Sequence, residues 1–106
     1  MKLQGLFITP VFTTKLENNY DIEKKLYELK NKDSKGKVKS NLGGWHSHEE
    51  LYKEEEFKKI TGDILYGAQQ CFTALNVEDK YSPEMTGFWG MINQPGARNM
   101  IHTHPL

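Results

Sequence analysis

The chain has 106 residues, enough for a single domain spanning 1–106 but short for two domains. Its 14 Lys and Arg residues balance 14 Asp and Glu residues, which removes the electrostatic argument for nucleic acid or an anionic membrane as a partner. The single cysteine excludes an internal disulfide, no apolar run approaches the ~20 residues of a membrane span, and we therefore expect a cytoplasmic protein.

A short strand and a short helix are predicted in the first third of the chain. Leu6–Phe12 is rich in β-branched and aromatic residues, and Pro10 predicts an edge strand or a bend because proline donates no ladder hydrogen bond. Asn18 and Asp21 resemble a capping box, which predicts a helix over residues 19–31. Its apolar stripe has helical spacing and consists of Ile22, Leu26 and Leu29.

A loop and a turn lead to the second helix. Lys30–Lys39 is polar and shows no hydrophobic period, which predicts a loop. Gly43 and Gly44 predict a tight turn that buries Trp45 against the long helix.

The strongest periodic signal predicts a helix over residues 54–75. Ser47 and Glu50 resemble a capping box before it, and Asn76 is expected to end it. Spacings of three and four residues predict one buried face made of Phe57, Ile60, Ile64, Ala68, Cys71, Phe72 and Leu75.

The last part of the chain predicts two strands joined by a turn. Met85–Asn93 has large apolar residues on both alternating faces, as a strand covered on both sides would have. Gln94–Ala97 places proline and glycine where a type II turn requires them, and Met100–His104 reads as the next strand. The chain is therefore expected to be α+β, with a helical brace over about 15–78 and core strands over about 84–104.

Two histidines near the end predict a metal site. On an extended strand His102 and His104 point to the same side, with Cα atoms roughly 6–7 Å apart. Two imidazoles so placed can bind one metal ion, and two ligands alone do not choose between Fe(II), Zn(II), Ni(II) and Cu(II). A second H-x-H pair, His46 and His48, is expected to serve loop or cap packing instead, and Arg98 to be a solvated turn residue.

Three stretches in this order resemble a family of 2-oxoglutarate/Fe(II)-dependent oxygenases found in marine bacteria and phages. They are Leu6–Phe12, Ser40–Ser47, and Phe88–Ile92 followed by Asn93–Pro105. The resemblance implies helices packed on the first strands of a double-stranded β-helix, the jelly-roll or cupin-like fold. It implies Fe(II) and 2-oxoglutarate as cofactors and hydroxylation of a small-molecule or peptide substrate that the sequence does not specify.

The resemblance assigns His102 to the first metal ligand of that family. His104 stands where the wider superfamily usually has Asp or Glu, so it is either a ligand or a neighbour of one. Only Pro105 and Leu106 follow His104, whereas a complete barrel needs about six further strands of roughly 8–12 residues each. We therefore expect the chain to be a fragment or a natural truncation that does not catalyse this reaction alone.

Two alternatives remain open at this point. A sheet with few strands leaves unpaired edges and an apolar face around Phe88, Trp89 and Met91, which predicts a homo-oligomer. The chain could thus be a non-catalytic scaffold of the same ancestry that self-associates or binds a partner or a metal. A zinc module is disfavoured, because no C-x-x-C motif or third ligand at suitable spacing is present.

Overall fold

The fold combines two helices with short antiparallel strand pairs. The structure is a computed structural model that describes residues 1–16 and 20–104. In chain order its elements are α1 (Ile22–Lys32), β1 (Asn41–Leu42), β2 (Trp45–His46), two 3₁₀ turns (Leu51–Lys53 and Glu55–Phe57), α2 (Lys58–Ala74), β3 (Met91–Ile92) and β4 (Arg98–Asn99). The predicted α+β class is confirmed.

The strands form two pairs that run along one interrupted antiparallel ladder. β1 pairs with β4, with Leu42 opposite Arg98, and β2 pairs with β3, with Trp45 opposite Ile92. The interruption falls where the Gly43–Gly44 turn lies on one side and the predicted turn at residues 94–97 on the other. That turn is confirmed: the N–H of Ala97 donates to the carbonyl of Gln94 at 2.9 Å, and Gly96 has a φ of 88°.

The predicted first helix is confirmed as α1, although it begins three residues later than expected. Asp21 precedes the helix with a left-handed φ of 48°, so it does not occupy the first turn as the predicted capping box requires. Asn18, the other member of that box, lies outside the described residues. The predicted stripe of Ile22, Leu26 and Leu29 is the half-buried side of α1, and Leu26 lies over Gly90.

The predicted second helix is confirmed as α2, but its start and its most buried residue differ from the prediction. The helix begins at Lys58, because the preceding residues fold into 3₁₀ turns that carry Leu51 and Phe57 into the core at 0% and 1% exposure. Along α2 the buried residue is Thr61, whereas Ile64 remains 37% exposed. The predicted face therefore packs only in part against the rest of the chain.

The stop at Asn76 is confirmed. Asn76 is left-handed with a φ of 55°, and its N–H donates to the carbonyl of Thr73 at 3.1 Å. The N–H of Val77 donates to the carbonyl of Phe72 at 2.9 Å. These two bonds form a Schellman motif, which satisfies carbonyls that the end of a helix would otherwise leave unpaired.

Two predicted strand segments are wrong and one is shortened. Residues 1–16 form no strand, and every residue in this stretch is exposed. Phe7 has a φ of 56°, which interrupts an extended conformation three residues before Pro10. Only Met91–Ile92 of the predicted strand Met85–Asn93 is paired as a strand.

The predicted strand over residues 100–104 is absent, and the strand in this region is Arg98–Asn99 instead. The reason is the position of the segment that pairs here, since β1 lies opposite residues 98 and 99 and not opposite residues 101–104. One further bond follows the ladder, from the N–H of Met100 to the carbonyl of Ser40 at 2.7 Å. Neither α1 nor α2 combines the length and apolar character needed to cross a bilayer, as judged over residues 1–16 and 20–104.

Candidate metal site

The two histidines of the predicted site follow β4 on an exposed segment. The ladder between β1 and β4 and the Met100–Ser40 hydrogen bond hold the start of this segment against the body of the chain. Ile101 to His104 then continue without regular secondary structure, and both histidines are exposed. Strand alternation therefore does not bring the imidazoles together.

The imidazoles of His102 and His104 nevertheless converge. Their Nε2 atoms lie 3.0 Å apart, and their ring centroids lie 4.9 Å apart with the planes tilted by 55°. At this distance one Nε2 can donate a hydrogen bond to the other. The structure thus brings together the two residues that the sequence singled out.

A backbone carbonyl orients one of the two rings. His102 Nδ1 lies 2.8 Å from the carbonyl oxygen of Met100. Because a carbonyl only accepts hydrogen bonds, Nδ1 carries the proton and donates, which leaves the Nε2 lone pair of His102 directed towards His104. No pattern in the sequence indicated this carbonyl, since its position depends on the backbone path rather than on residue type.

The separation of the two nitrogens suits neighbouring ligands of one metal ion. Two imidazole nitrogens bound at about 2.1 Å and at a right angle lie about 3.0 Å apart. The arrangement around His102 also matches a common feature of metal-bound histidine, in which the other ring nitrogen donates to a backbone carbonyl. The pair therefore fits two positions of a coordination sphere.

The remaining positions of such a sphere are not supplied by the described part of the chain. Across residues 1–16 and 20–104, no group of three or more His, Cys, Asp or Glu residues is arranged to hold a metal ion. Arg98, which lies four residues before His102, is exposed in β4. These residues alone therefore provide two imidazoles and not the two histidines and one carboxylate of a facial triad.

The other H-x-H pair has a packing role, as the sequence predicted. His46 is buried at 4% exposure, and its ring stacks on Trp89 with centroids 5.7 Å apart and planes inclined by 16°. Its Nδ1 lies 2.6 Å from the carbonyl of Ser47 and therefore donates to it.

His48 belongs to a polar cluster that joins α1 to the 3₁₀ turns. The N–H of Glu50 donates to His48 Nδ1 at 3.2 Å, so the Nε2 of the neutral ring carries the proton and faces Glu54 at 3.2 Å. Lys25 of α1 bridges Glu54 and Glu56 at 3.4 and 3.3 Å. Attraction to these carboxylates outweighs desolvation, and the pKa of Lys25 is raised. The cluster holds elements together and lends no ligand to the His102–His104 pair.

Comparison with known proteins identifies no family for the chain: no protein-family model matches it, and neither a curated protein nor a solved structure shows detectable similarity.

Proposed function

We propose that His102 and His104 bind a divalent metal ion as part of an Fe(II)- and 2-oxoglutarate-dependent oxygenase centre. The observation that carries the proposal is the 3.0 Å separation of their Nε2 atoms, which suits neighbouring ligands of one ion. The jelly-roll architecture expected from the sequence resemblance is part of the same proposal, as is a cytoplasmic location. The observed α+β class is compatible with that architecture.

The residues of this chain would orient the ligands rather than complete the centre. The Met100 carbonyl accepts the Nδ1 proton of His102, which fixes the ring and keeps Nε2 available to a cation. His104 would present its Nε2 from the adjacent side once the proton that this nitrogen donates to His102 has moved to its Nδ1 or to solvent. When bound, Fe(II) and 2-oxoglutarate supply oxidation of a substrate by O₂. A carboxylate ligand and a base for the cosubstrate would come from outside the described residues or from another molecule.

The first test is an anaerobic titration of the intact chain with Fe(II), in which calorimetry measures the binding. We expect one ion per His102–His104 pair and a large loss of affinity in both His102→Ala and His104→Ala. The matched control is His48→Ala, which removes a histidine that hydrogen-bonds Glu54 and should leave metal binding unchanged. Equal binding by all three variants and the unmodified chain would contradict the assignment of these ligands.

The second step tests the oxygenase class. Addition of 2-oxoglutarate to the Fe(II)-loaded chain should produce a metal-to-ligand charge-transfer absorption band that His102→Ala abolishes. If the metal ion binds but this band does not form, the metal site is supported and the oxygenase assignment is contradicted for this chain alone.

A second candidate function is a self-associating scaffold, and the surface area of the chain favours it. The accessible surface is 9113 Å², whereas a compact monomer of 12.3 kDa exposes roughly 6,100 Å². The Cα radius of gyration is 17.5 Å, compared with about 13 Å for a compact domain of this length. Sedimentation at micromolar concentrations tests this candidate: an oligomer supports it, and a monomer contradicts it.

A further inference from the structure

We infer that residues 1–11, here called the amino-terminal arm, pack into a groove beside α2 of a second copy of this chain, so that two copies exchange arms. The inference deepens the self-association proposed above by naming the segment responsible. It does not depend on the His102–His104 site. Three properties of the chain carry it: the exposure of the arm, an apolar groove on α2, and the total accessible area.

The arm is apolar and makes almost no contact with the rest of the chain. Leu3 and Phe7 are 101% and 102% exposed, and Val11 is 80% exposed. Leu6 and Ile8, between them, are 76% and 72% exposed. Such side chains gain free energy when they are removed from water, and a run of them in one segment is typical of an interaction surface.

The groove lies along α2 and is lined on its other side by residues 12–16, which directly follow the arm. It encloses about 960 Å³ between α2 and residues 12–16. Its α2 side includes Ile64, Tyr66 and Cys71, of which Ile64 and Tyr66 remain 37% and 69% exposed. Among the residues that the structure describes, the lining of the groove begins at Phe12, so the arm of the same chain is not part of it.

The geometry favours side-chain packing over strand addition. Phe7 is left-handed with a φ of 56°, and Pro10 has no N–H, so the arm cannot form a continuous ladder with a sheet edge. Apolar side chains of an irregular segment can still enter a groove lined by a helix. A groove of this size lies within the range of pockets that bury several apolar groups.

A second copy is the occupant because the exchange closes on itself. Each copy has one arm and one groove, and Phe12 and Leu16 of the same chain already lie at the groove next to the arm. A two-fold axis near this point would bring both arms to both grooves in one closed, symmetric dimer. The accessible area of the whole chain exceeds that of a compact monomer by about 3,000 Å², so the exposed surface is large enough to supply the ~800 Å² per partner that a stable interface needs.

The test begins with sedimentation equilibrium of the full chain and of Phe7→Asp. We expect a dimer for the unmodified chain and a dissociation constant raised about tenfold or more by the charge in the arm. Val38→Asp is the matched control, because Val38 is 72% exposed like the arm residues but lies outside the arm. Far-UV circular dichroism should be the same for all three proteins, since residue 7 contacts no core residue.

Disulfide trapping then tests the location of the arm. A chain carrying Val11→Cys and Cys71→Ser is mixed with the unmodified chain, whose one cysteine, Cys71, lines the groove. Mild oxidation should trap a mixed dimer, and Val38→Cys in place of Val11→Cys should not. If the dissociation constant of the dimer is unchanged by Phe7→Asp and no mixed dimer is trapped, the arm exchange is contradicted while self-association stands. If the chain is a monomer at every concentration, both proposals are contradicted.

Discussion

The hydroxyl of Ser47 accepts a hydrogen bond from the N–H of Gly90 at 3.0 Å, across 43 residues of sequence. The same hydroxyl donates to the carbonyl of His48 at 2.7 Å, and Ser47 is fully buried. The N–H of Ser47 in turn donates to the Gly90 carbonyl at 3.0 Å. Ser47 therefore joins the strand that precedes α2 to the strand that follows it and does not cap a helix as its sequence pattern predicts.

Ser47→Ala should lower the free energy of unfolding by about 1–3 kcal/mol, because it leaves the half-buried Gly90 N–H without its acceptor. Urea unfolding followed by tryptophan fluorescence measures this change. Ser34→Ala is the control, since Ser34 is exposed and should shift stability by no more than about 0.5 kcal/mol. Equal stability of the two variants would contradict a structural role for the Ser47 hydroxyl.

Gly36→Ala should destabilise the fold, whereas Gly62→Ala should stabilise it. Gly36 has a φ of 62°, and a Cβ there would collide with the carbonyl oxygen of His46 and the indole of Trp45. We expect a loss of about 1–3 kcal/mol in the free energy of unfolding.

Gly62 lies in α2 with open space around its Cα, so alanine there should add about 0.5–1 kcal/mol through helix propensity. Thermal unfolding of both variants measures the two effects. If both variants change the stability in the same direction, the backbone conformation at Gly36, in the loop that follows α1, is contradicted.

Thr61→Val should stabilise the protein. The Thr61 hydroxyl is buried and has no hydrogen-bond partner among the residues that the structure describes. Valine has nearly the same shape and removes the unsatisfied group, so we expect a gain of about 1 kcal/mol. Thr73→Val is the control on the same helix, because the Thr73 hydroxyl donates to the Gln69 carbonyl at 3.1 Å and is exposed. If Thr73→Val raises the free energy of unfolding as much as Thr61→Val does, the effect comes from helix propensity and not from the buried hydroxyl.

The pKa of Glu50 should rise when Lys53 is replaced. The side-chain hydrogen bond and the charge of Lys53, 2.5 Å away, hold the pKa of Glu50 below its ordinary value of 4.5. Lys53→Gln should therefore move the carboxyl titration towards that value, as measured by NMR. Lys58→Gln, which removes the partner of Glu55, is the matched control and should leave Glu50 unchanged.

The lowered pKa also sets the sign of the pH effect on stability. The unfolded chain binds a proton at Glu50 more readily than the folded chain does, so this pair stabilises the fold above pH 4.5. The contribution is lost as the pH falls through the lowered pKa of the folded state. Lys53→Gln should reduce this loss of unfolding free energy at acid pH. If the free energy of unfolding depends on pH in the same way with and without Lys53, the role of this pair is contradicted.

Local features of the sequence determined the elements that depend on neighbouring residues. The spacing of apolar residues predicted α1 and α2, Asn76 predicted the end of α2, and Pro95 with Gly96 predicted the turn before β4. Each of these depends on contacts a few residues apart along the chain: side chains on one helix face, one left-handed residue, or one i to i+3 hydrogen bond. The pairing of His102 with His104 is likewise local.

Tertiary structure alone decided the features that need a partner far along the chain. The amino-terminal segment has strand composition but no strand, because a strand requires a second segment for its hydrogen bonds and composition does not supply one. Ser47 has the pattern of a cap, but its hydroxyl bonds Gly90, because β2 and β3 meet in the fold. The orientation of His102 depends on the Met100 carbonyl, whose position follows from the pairing of β4 with β1.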